Sequence, residues 1–305
     1  MIKQSFLFVF LWMCCSTALA QQGAPDGEWP TYGGDLGHTR YSPLEQINAE
    51  NFSDLEVVWR FKTDNLGPSP EYRFQATPLV VNGVMYTTGG SRRAVVALDA
   101  RTGELLWKYA LNEGARAANA PRQLSGRGLA LWQDGENTRI IYVTPGYQMI
   151  ALDGSTGRPV QSFGVEGIVD LKQNADQMID LETGEIGLHS TPIVAKDVVI
   201  IGAAHRTGGN PRSRENVKGY VRGFDVRTGE RLWIFHTVPT PGEYGYESWQ
   251  DGSASYTGNT GVWAQISVDL ELETVYLPVE AATGDYFGAN RPGDNLFAES
   301  LLAVD

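Results

Sequence analysis

Ala97-Leu98-Asp99-Ala100-Arg101-Thr102-Gly103-Glu104-Leu105-Leu106-Trp107 returns, with few changes, as Gly223-Phe224-Asp225-Val226-Arg227-Thr228-Gly229-Glu230-Arg231-Leu232-Trp233. A weaker third copy runs Ala151-Leu152-Asp153-Gly154-Ser155-Thr156-Gly157-Arg158, with Gln161 at the tryptophan position, and Ala303-Val304-Asp305 begins a fourth. A short apolar segment leads into each aspartate: Ala94 to Leu98, Met149 to Leu152 and Tyr220 to Phe224. The Asp-x-x-Thr-Gly segment reads as a tight turn, because Asp and Thr side chains bond nearby backbone N–H groups and Gly permits positive φ. The Glu-Leu-Leu-Trp that follows resumes as a strand, and its indole is large enough to fill a gap between neighbouring sheets. Thr77-Pro78-Leu79-Val80-Val81 with Val84-Met85-Tyr86, and Thr191-Pro192-Ile193-Val194 with Val198-Val199-Ile200-Ile201, supply the first two strands of a unit. Four short antiparallel strands per unit is the layout of a β-propeller blade, so the chain is expected to be all-β. Three aspartates at equivalent repeat positions build turns; they are not a catalytic set.

The aspartates at 99, 153, 225 and 305 are spaced by 54, 72 and 80 residues, whereas a minimal blade needs about 40–45. The surplus must lie in loops, and long loops on a rigid scaffold are where function concentrates. The sequence places the long inserts at 111–139, 162–189, 203–218 and 237–261. Leu55-Glu56-Val57-Val58-Trp59-Arg60-Phe61 reads as an outer strand with no blade of its own before it. Together with a last repeat that stops at Asp305, this predicts a partial propeller over residues 21–305.

Residues 1–20 read as a secretory signal: Lys3, an apolar run from Phe6 to Met13, and a small-x-small site at Ala18-Leu19-Ala20, with cleavage expected after Ala20. The run is too short to span a bilayer as a stable helix, so a periplasmic protein without a transmembrane anchor is expected. Both cysteines, Cys14 and Cys15, lie in that segment, so the exported chain has no disulfide, no Cys-based metal site and no C-x-x-C-H haem attachment. Leu11-Trp12-Met13 lacks the small residues that a lipoprotein site at those cysteines favours. The formal net charge of −12 argues against a nucleic-acid partner, which requires phosphate neutralisation.

A second signature lies near the N-terminus. Trp29-Pro30-Thr31-Tyr32-Gly33-Gly34, Thr39-Arg40-Tyr41-Ser42-Pro43-Leu44 and Ile47-Asn48-Ala49-Glu50-Asn51-Phe52 with Leu55 stand at fixed spacing. With the Asp-x-x-Thr-Gly-x-x-x-Trp repeats, this pattern closely resembles the quinoprotein dehydrogenases, which use pyrroloquinoline quinone (PQQ) and a divalent cation, usually calcium and otherwise magnesium. The resemblance implies an eight-bladed propeller with PQQ near its axis, of which this chain would supply roughly the first four blades. Val275-Tyr276-Leu277-Pro278-Val279 with Thr283-Gly284-Asp285 and Gly288-Ala289-Asn290-Arg291 looks most like the glucose dehydrogenase branch. The alcohol branch typically carries adjacent cysteines over the quinone, and Pro121 and Arg122 stand near that place here. The membrane glucose enzymes also carry several N-terminal membrane helices, where this chain has only its signal.

The resemblance implies roles for individual residues. Arg127, in Arg127-Gly128-Leu129-Ala130, matches an arginine near the PQQ carboxylates and quinone oxygens, and a guanidinium forks well onto anionic oxygens. Gln75 stands where many relatives have a glutamate that contacts the cofactor. Trp263 matches the tryptophan whose ring floors the quinone, and His189 falls at the cofactor rim. Asn210 and Thr283 match positions near the metal, which takes hard oxygen ligands, although Gly209 occupies a place that is acidic in some relatives. No zinc spacing joins the four histidines. His38 and His236 are read as structural, His205 as a residue at the site mouth, and Asn119 and Trp132 as neighbours of the Arg127 loop.

The implied reaction oxidises a sugar (glucose-type) or alcohol hydroxyl to a carbonyl or lactone. A metal ion polarises the quinone, an aspartate removes the hydroxyl proton, and a hydride passes to PQQ. Ubiquinone or a cytochrome would accept the electrons. The catalytic aspartate is expected beyond Asp305, so these residues alone are expected not to turn over substrate. The competing reading is a non-enzymatic repeat propeller that serves as a cell-envelope scaffold; Arg127, Asn210 and Trp263 together distinguish the two.

Overall fold

A computed structural model describes residues 23–305 apart from Gly209; the predicted signal segment lies outside these residues. Strands β1 (Leu79–Val81), β2 (Val84–Gly89), β3 (Ala94–Asp99) and β4 (Leu105–Tyr109) form the first sheet, each antiparallel to the next. Strands β5 (Ala130–Asp134), β6 (Asn137–Val143), β7 (Gln148–Asp153) and β8 (Ile168–Asp170) form the second. The third contains β9 (Ile193–Ala195), β10 (Val198–Ile201), β11 (Val221–Asp225) and β12 (Arg231–Phe235), and the fourth β13 (Ser267–Asp269), β14 (Thr274–Pro278) and β15 (Leu301–Val304). Three complete blades and a three-stranded fourth are thus present among the described residues, as the repeat predicted.

The blades stack face to face, and β6 shows why its second half, Ile140 to Val143, is apolar at every position. Successive side chains on a strand point to opposite faces. Ile140 and Tyr142 pack with Leu79, Tyr86 and Val95 of the first blade, while Ile141 and Val143 pack with Val199, Ile201 and Phe224 of the third. A strand buried on both faces must be apolar at every position. Ile193, Ile200 and Val221 close onto Val268 and Leu277 of the fourth blade in the same way. A fully buried aliphatic side chain is worth about 2 kcal/mol, against about 1 kcal/mol net for a turn hydrogen bond. The interleaved faces therefore carry the stack, and the turns set its geometry.

Those turns are built as read. The Asp99 carboxylate accepts from the Arg101 N–H (3.0 Å), the Thr102 N–H (2.8 Å) and the Thr102 hydroxyl (3.0 Å). Asp153 and Asp225 repeat the set. Gly157 lies at φ +69°, and a Cβ there would come within 2.4 Å of the Trp107 ring. Trp107 also donates its Nε1–H to the Gly154 carbonyl at 2.9 Å. The Trp107 indole thus docks on the aspartate turn of the following blade.

Two expectations need correction. Leu55–Phe61 forms no strand; Val57 and Val58 are exposed, while Phe61 and Trp59 pack against the first-blade core and Trp59 docks on the Asp99 turn, donating to the Ala100 carbonyl at 3.3 Å. The segment is extended but has no strand beside it to complete a ladder. In the second blade, Gln161 does not replace the docking tryptophan. An insertion delays β8 to Ile168, and buried Phe163 with Val169 meets the Gly229 turn instead, closed by a bond from the Gly164 N–H to the Thr228 carbonyl (2.7 Å). A fourth Asp-x-x-Thr turn, Asp180 to Thr183, has the same side-chain bonds but lies in the connection between the second and third blades.

Candidate functional site

Antiparallel hairpins alternate ends, so strand order alone sorts the loops. The Asp-x-x-Thr-Gly turns lie between third and fourth strands, at one end of the blades. The connections 110–129, 171–192, 202–220, 236–266 and 279–300 all emerge at the other. The last of these was not singled out from the sequence, although the 80-residue spacing between Asp225 and Asp305 contains it.

The four predicted cofactor residues occupy one structural position. Gln75, Arg127, His189 and Trp263 each lie three or four residues ahead of the first strand of their blade. Backbone bonds link three of these segments, from the Thr77 N–H to the Arg127 carbonyl and from the Arg127 N–H to the His189 carbonyl, both 3.0 Å. Gly128 must be glycine here, since it lies at φ +131° and a Cβ would stand 3.1 Å from the Thr77 carbonyl. The Arg127 guanidinium lies over the Trp263 ring, 5.6 Å from its centroid. Trp263 is 37% exposed, in contrast to the buried core around it.

Gln75 and His189 share a cavity of about 340 Å³ with Arg73, Arg122 and Arg206, and no Asp or Glu lines it. Arg206 is paired with Glu185 at 3.1 Å. Arg73, Arg122 and Arg127 form no ion pair among the described residues. Burial, reinforced by the Arg93, Arg122, Arg127 and Arg73 guanidiniums, pushes the His189 imidazole down to about 4. Its Nδ1 is buried without a hydrogen-bond partner, as are Arg122 Nε, Ser190 Oγ, His205 Nε2 and Gln265 Nε2. Buried polar atoms normally find partners, and two of these, His189 Nδ1 and Arg122 Nε, belong to residues that line the cavity. The cavity arginines at 73, 122 and 206 were not predicted as site residues. Arg73 carries a readable signal, two positions before Gln75 in the same approach to a first strand.

The two predicted metal positions have different surroundings. Asn210 is exposed, with its amide N–H groups directed to the Thr207 (3.0 Å) and Gly208 (3.4 Å) carbonyls. Thr283 is buried; its hydroxyl accepts from the Gly258 N–H (2.9 Å) and donates to Asn259 Oδ1 (3.2 Å). Among the described residues no group of three or more His, Cys, Asp or Glu side chains is gathered for a metal. His205 is fully buried, with its Nδ1 2.9 Å from Glu280 Oε1, so it does not line the mouth. Trp132 faces the second and third blades, donating to Asp197 and packed against Arg139 and Arg227. His38 ties the N-terminal segment to the Ile266 carbonyl at 2.8 Å, and His236 lies between Glu243 and Asp176.

Residues 29–305 match the family described as PQQ glucose/ethanol/alcohol dehydrogenase, beta-propeller domain. The dehydrogenase subunit of the quinone-dependent alcohol dehydrogenase of Gluconobacter oxydans is 32% identical, over 94% of this chain and 37% of that protein. The quinoprotein glucose dehydrogenase of Escherichia coli is 30% identical, over 92% of this chain and 36% of that protein. The crystal structure of quinohemoprotein alcohol dehydrogenase from Comamonas testosteroni superposes with a TM-score of 0.72 at 28% identity, covering 91% of this chain and 39% of that one. The chain thus spans somewhat over a third of the length of these relatives, and the identities do not separate the alcohol from the glucose branch. The repeat, the blade geometry and the match over residues 29–305 agree, and the chain belongs to the PQQ-dependent glucose/ethanol/alcohol dehydrogenase β-propeller family.

Proposed function

We propose that this chain forms the cofactor-facing surface of a PQQ-dependent dehydrogenase that oxidises a sugar or alcohol hydroxyl to a carbonyl or lactone. The observation that carries the reading is the cavity at Gln75 and His189, next to the Arg127 segment whose guanidinium lies over the Trp263 ring. In a chain of net charge −12, it is lined by arginines and by no carboxylate. Such a lining attracts an anion, and a flat anionic quinone suits both the guanidiniums and an open indole face. Arg127 and Arg122 would hold carboxylate or quinone oxygens, Gln75 and neutral His189 would bond the rim, and Trp263 would floor the ring. When bound, PQQ supplies the two-electron acceptor that no side chain provides. The protein's part is to orient the cofactor, keep the rim uncharged at His189 and exclude water from its face.

Asn210 and Thr283 remain the positions proposed for calcium or magnesium. The described donor set does not form a cation cage, so the chain by itself is a weak metal site. The general base is proposed to lie outside these residues, because each repeat aspartate is held in a turn at the opposite end of its blade. Export to the periplasm and electron transfer to ubiquinone or a cytochrome follow from the same family reading. No described helix is long and apolar enough to cross a membrane.

The test is PQQ titration of the purified chain, followed by tryptophan fluorescence with and without calcium. Saturable quenching that is lost in Trp263→Ala and Arg127→Ala is the expected result, without PQQ-dependent dye reduction. Absence of PQQ binding under both conditions would favour the scaffold reading.

A further inference from the structure

Arg93 is 3% exposed and lies at φ +52° in the turn between β2 and β3. Its Nε–H donates to the Leu124 carbonyl at 2.9 Å, Nη1 to the Val143 and Leu188 carbonyls at 2.9 Å each, and Nη2 to the Arg122 carbonyl at 3.1 Å. No carboxylate forms an ion pair with it among the described residues; four carbonyls accept its N–H groups, and Glu113 and Glu71 favour the charge from farther off. Arg122 and Leu124 belong to the loop that carries Arg127, Leu188 immediately precedes His189, and Val143 ends β6. One planar fork therefore joins three separate stretches of chain that meet at the cavity. Gly126 is packed against it, since a Cβ there would stand 3.0–3.2 Å from the guanidinium atoms. Glu71 supports the same loop from the other side, accepting from the Ser125 N–H (3.0 Å) and the Gly90 N–H (2.8 Å).

We propose that Arg93 is the positioning residue of this site: it sets the separation of the Arg127 loop from the His189 segment and so fixes the cavity. It contacts no ligand itself. Only an arginine meets the requirement, because the carbonyls lie around a plane and a lysine is a point donor that cannot fork to all of them. The buried cation also faces His189 together with Arg73, Arg122 and Arg127, which favours the neutral imidazole. The choice of ligand in the test rests on the cofactor reading; the architecture does not.

The experiment uses the whole chain with Arg93→Lys, Arg93→Met and Gly126→Ala, PQQ itself as the probe, and ¹⁵N-detected titration of His189. Arg93→Lys and Gly126→Ala are expected to weaken PQQ binding about tenfold or more while far-UV circular dichroism stays unchanged, since displaced donors lose about 1.4 kcal/mol per factor of ten. In Arg93→Met, His189 should titrate closer to 6.5 than the parent, because a nearby cation is gone. PQQ affinity within twofold of the parent in folded Arg93→Lys and Gly126→Ala would overturn the proposal. If the parent binds no PQQ, the functional reading falls while the His189 titration still decides: an unchanged value in both Arg93 variants would sink the positioning role. Should Arg93→Met fail to fold, Arg93→Lys and Gly126→Ala carry the test.

Discussion

The two ends of the blades use charge in opposite ways. At the turn end, aspartates recur at equivalent positions, stand near solvent and spend their oxygens on the backbone of their own turn. At the other end, arginines occur once each, in loops of unequal length; Arg73, Arg122 and Arg206 line a cavity that no Asp or Glu lines, and of these three only Arg206 is ion-paired among the described residues, with Glu185. Repetition marks what every blade needs to fold. Departure from repetition marks what the protein needs only once.

The largest effect expected from breaking this division is at the turn end. Gly157→Val forces a branched side chain into positive φ and into the Trp107 ring, and should cost about 4 kcal/mol or more, read by urea denaturation. Trp263→Ala should do the reverse. Its ring is partly exposed, so stability should change by less than about 1 kcal/mol, while PQQ affinity falls about 100-fold, equivalent to about 2.7 kcal/mol. If that variant instead unfolds and binds PQQ normally once refolded, the two ends do not divide structure from binding.

Removing one turn acceptor, Asp225→Ala, should cost about 1 kcal/mol, in the range of a lost helix-cap side chain, with no change in PQQ binding. The smallest effect is in the pH dependence, which has the same sign at both ends, stability falling as pH falls, and separates them by range. For Asp225, burial alone would raise the carboxyl, but the Thr228 and Arg227 hydrogen bonds outweigh it and hold the carboxyl below its ordinary 3.8. That stabilisation is complete above about 4 and is lost as pH falls through the lower folded value. For His189 the imidazole is held down to about 4 against an ordinary 6.5. The unfolded chain therefore binds the proton first, and stability declines as pH falls from 6.5 to about 4, then levels. His189→Gln should remove the upper limb and leave the lower one, as measured by denaturation at a series of pH values.

How far the sequence could be read follows the same division. The strands from Leu79 to Trp107 and from Ile193 to Trp233 were legible, because turn chemistry and apolar runs are local signals. The docking role of Trp107 was legible in outline from ring size. What failed involved a partner: Leu55–Phe61 has strand composition and no strand beside it, and Gln161 held the tryptophan position in the alignment of repeats while Phe163 did the packing in space. The site was legible only through resemblance. Arg93 carries no sequence signal, since its worth lies in four carbonyls supplied by three distant stretches of chain.

By itself the sequence determined the repeat: Asp, Thr and Gly at fixed offsets dictate a turn through bonds within a few residues, and alternation on a twice-buried strand dictates apolar content at every position. Only the tertiary structure decided the site. It brought Gln75, Arg127, His189 and Trp263 to the same approach of four successive blades, and left Arg73, Arg122 and Arg127 without an ion pair among the described residues. The reason is distance along the chain. A turn is closed by neighbours, whereas an electrostatic field and a cavity are sums over residues that only the stacking of blades brings together.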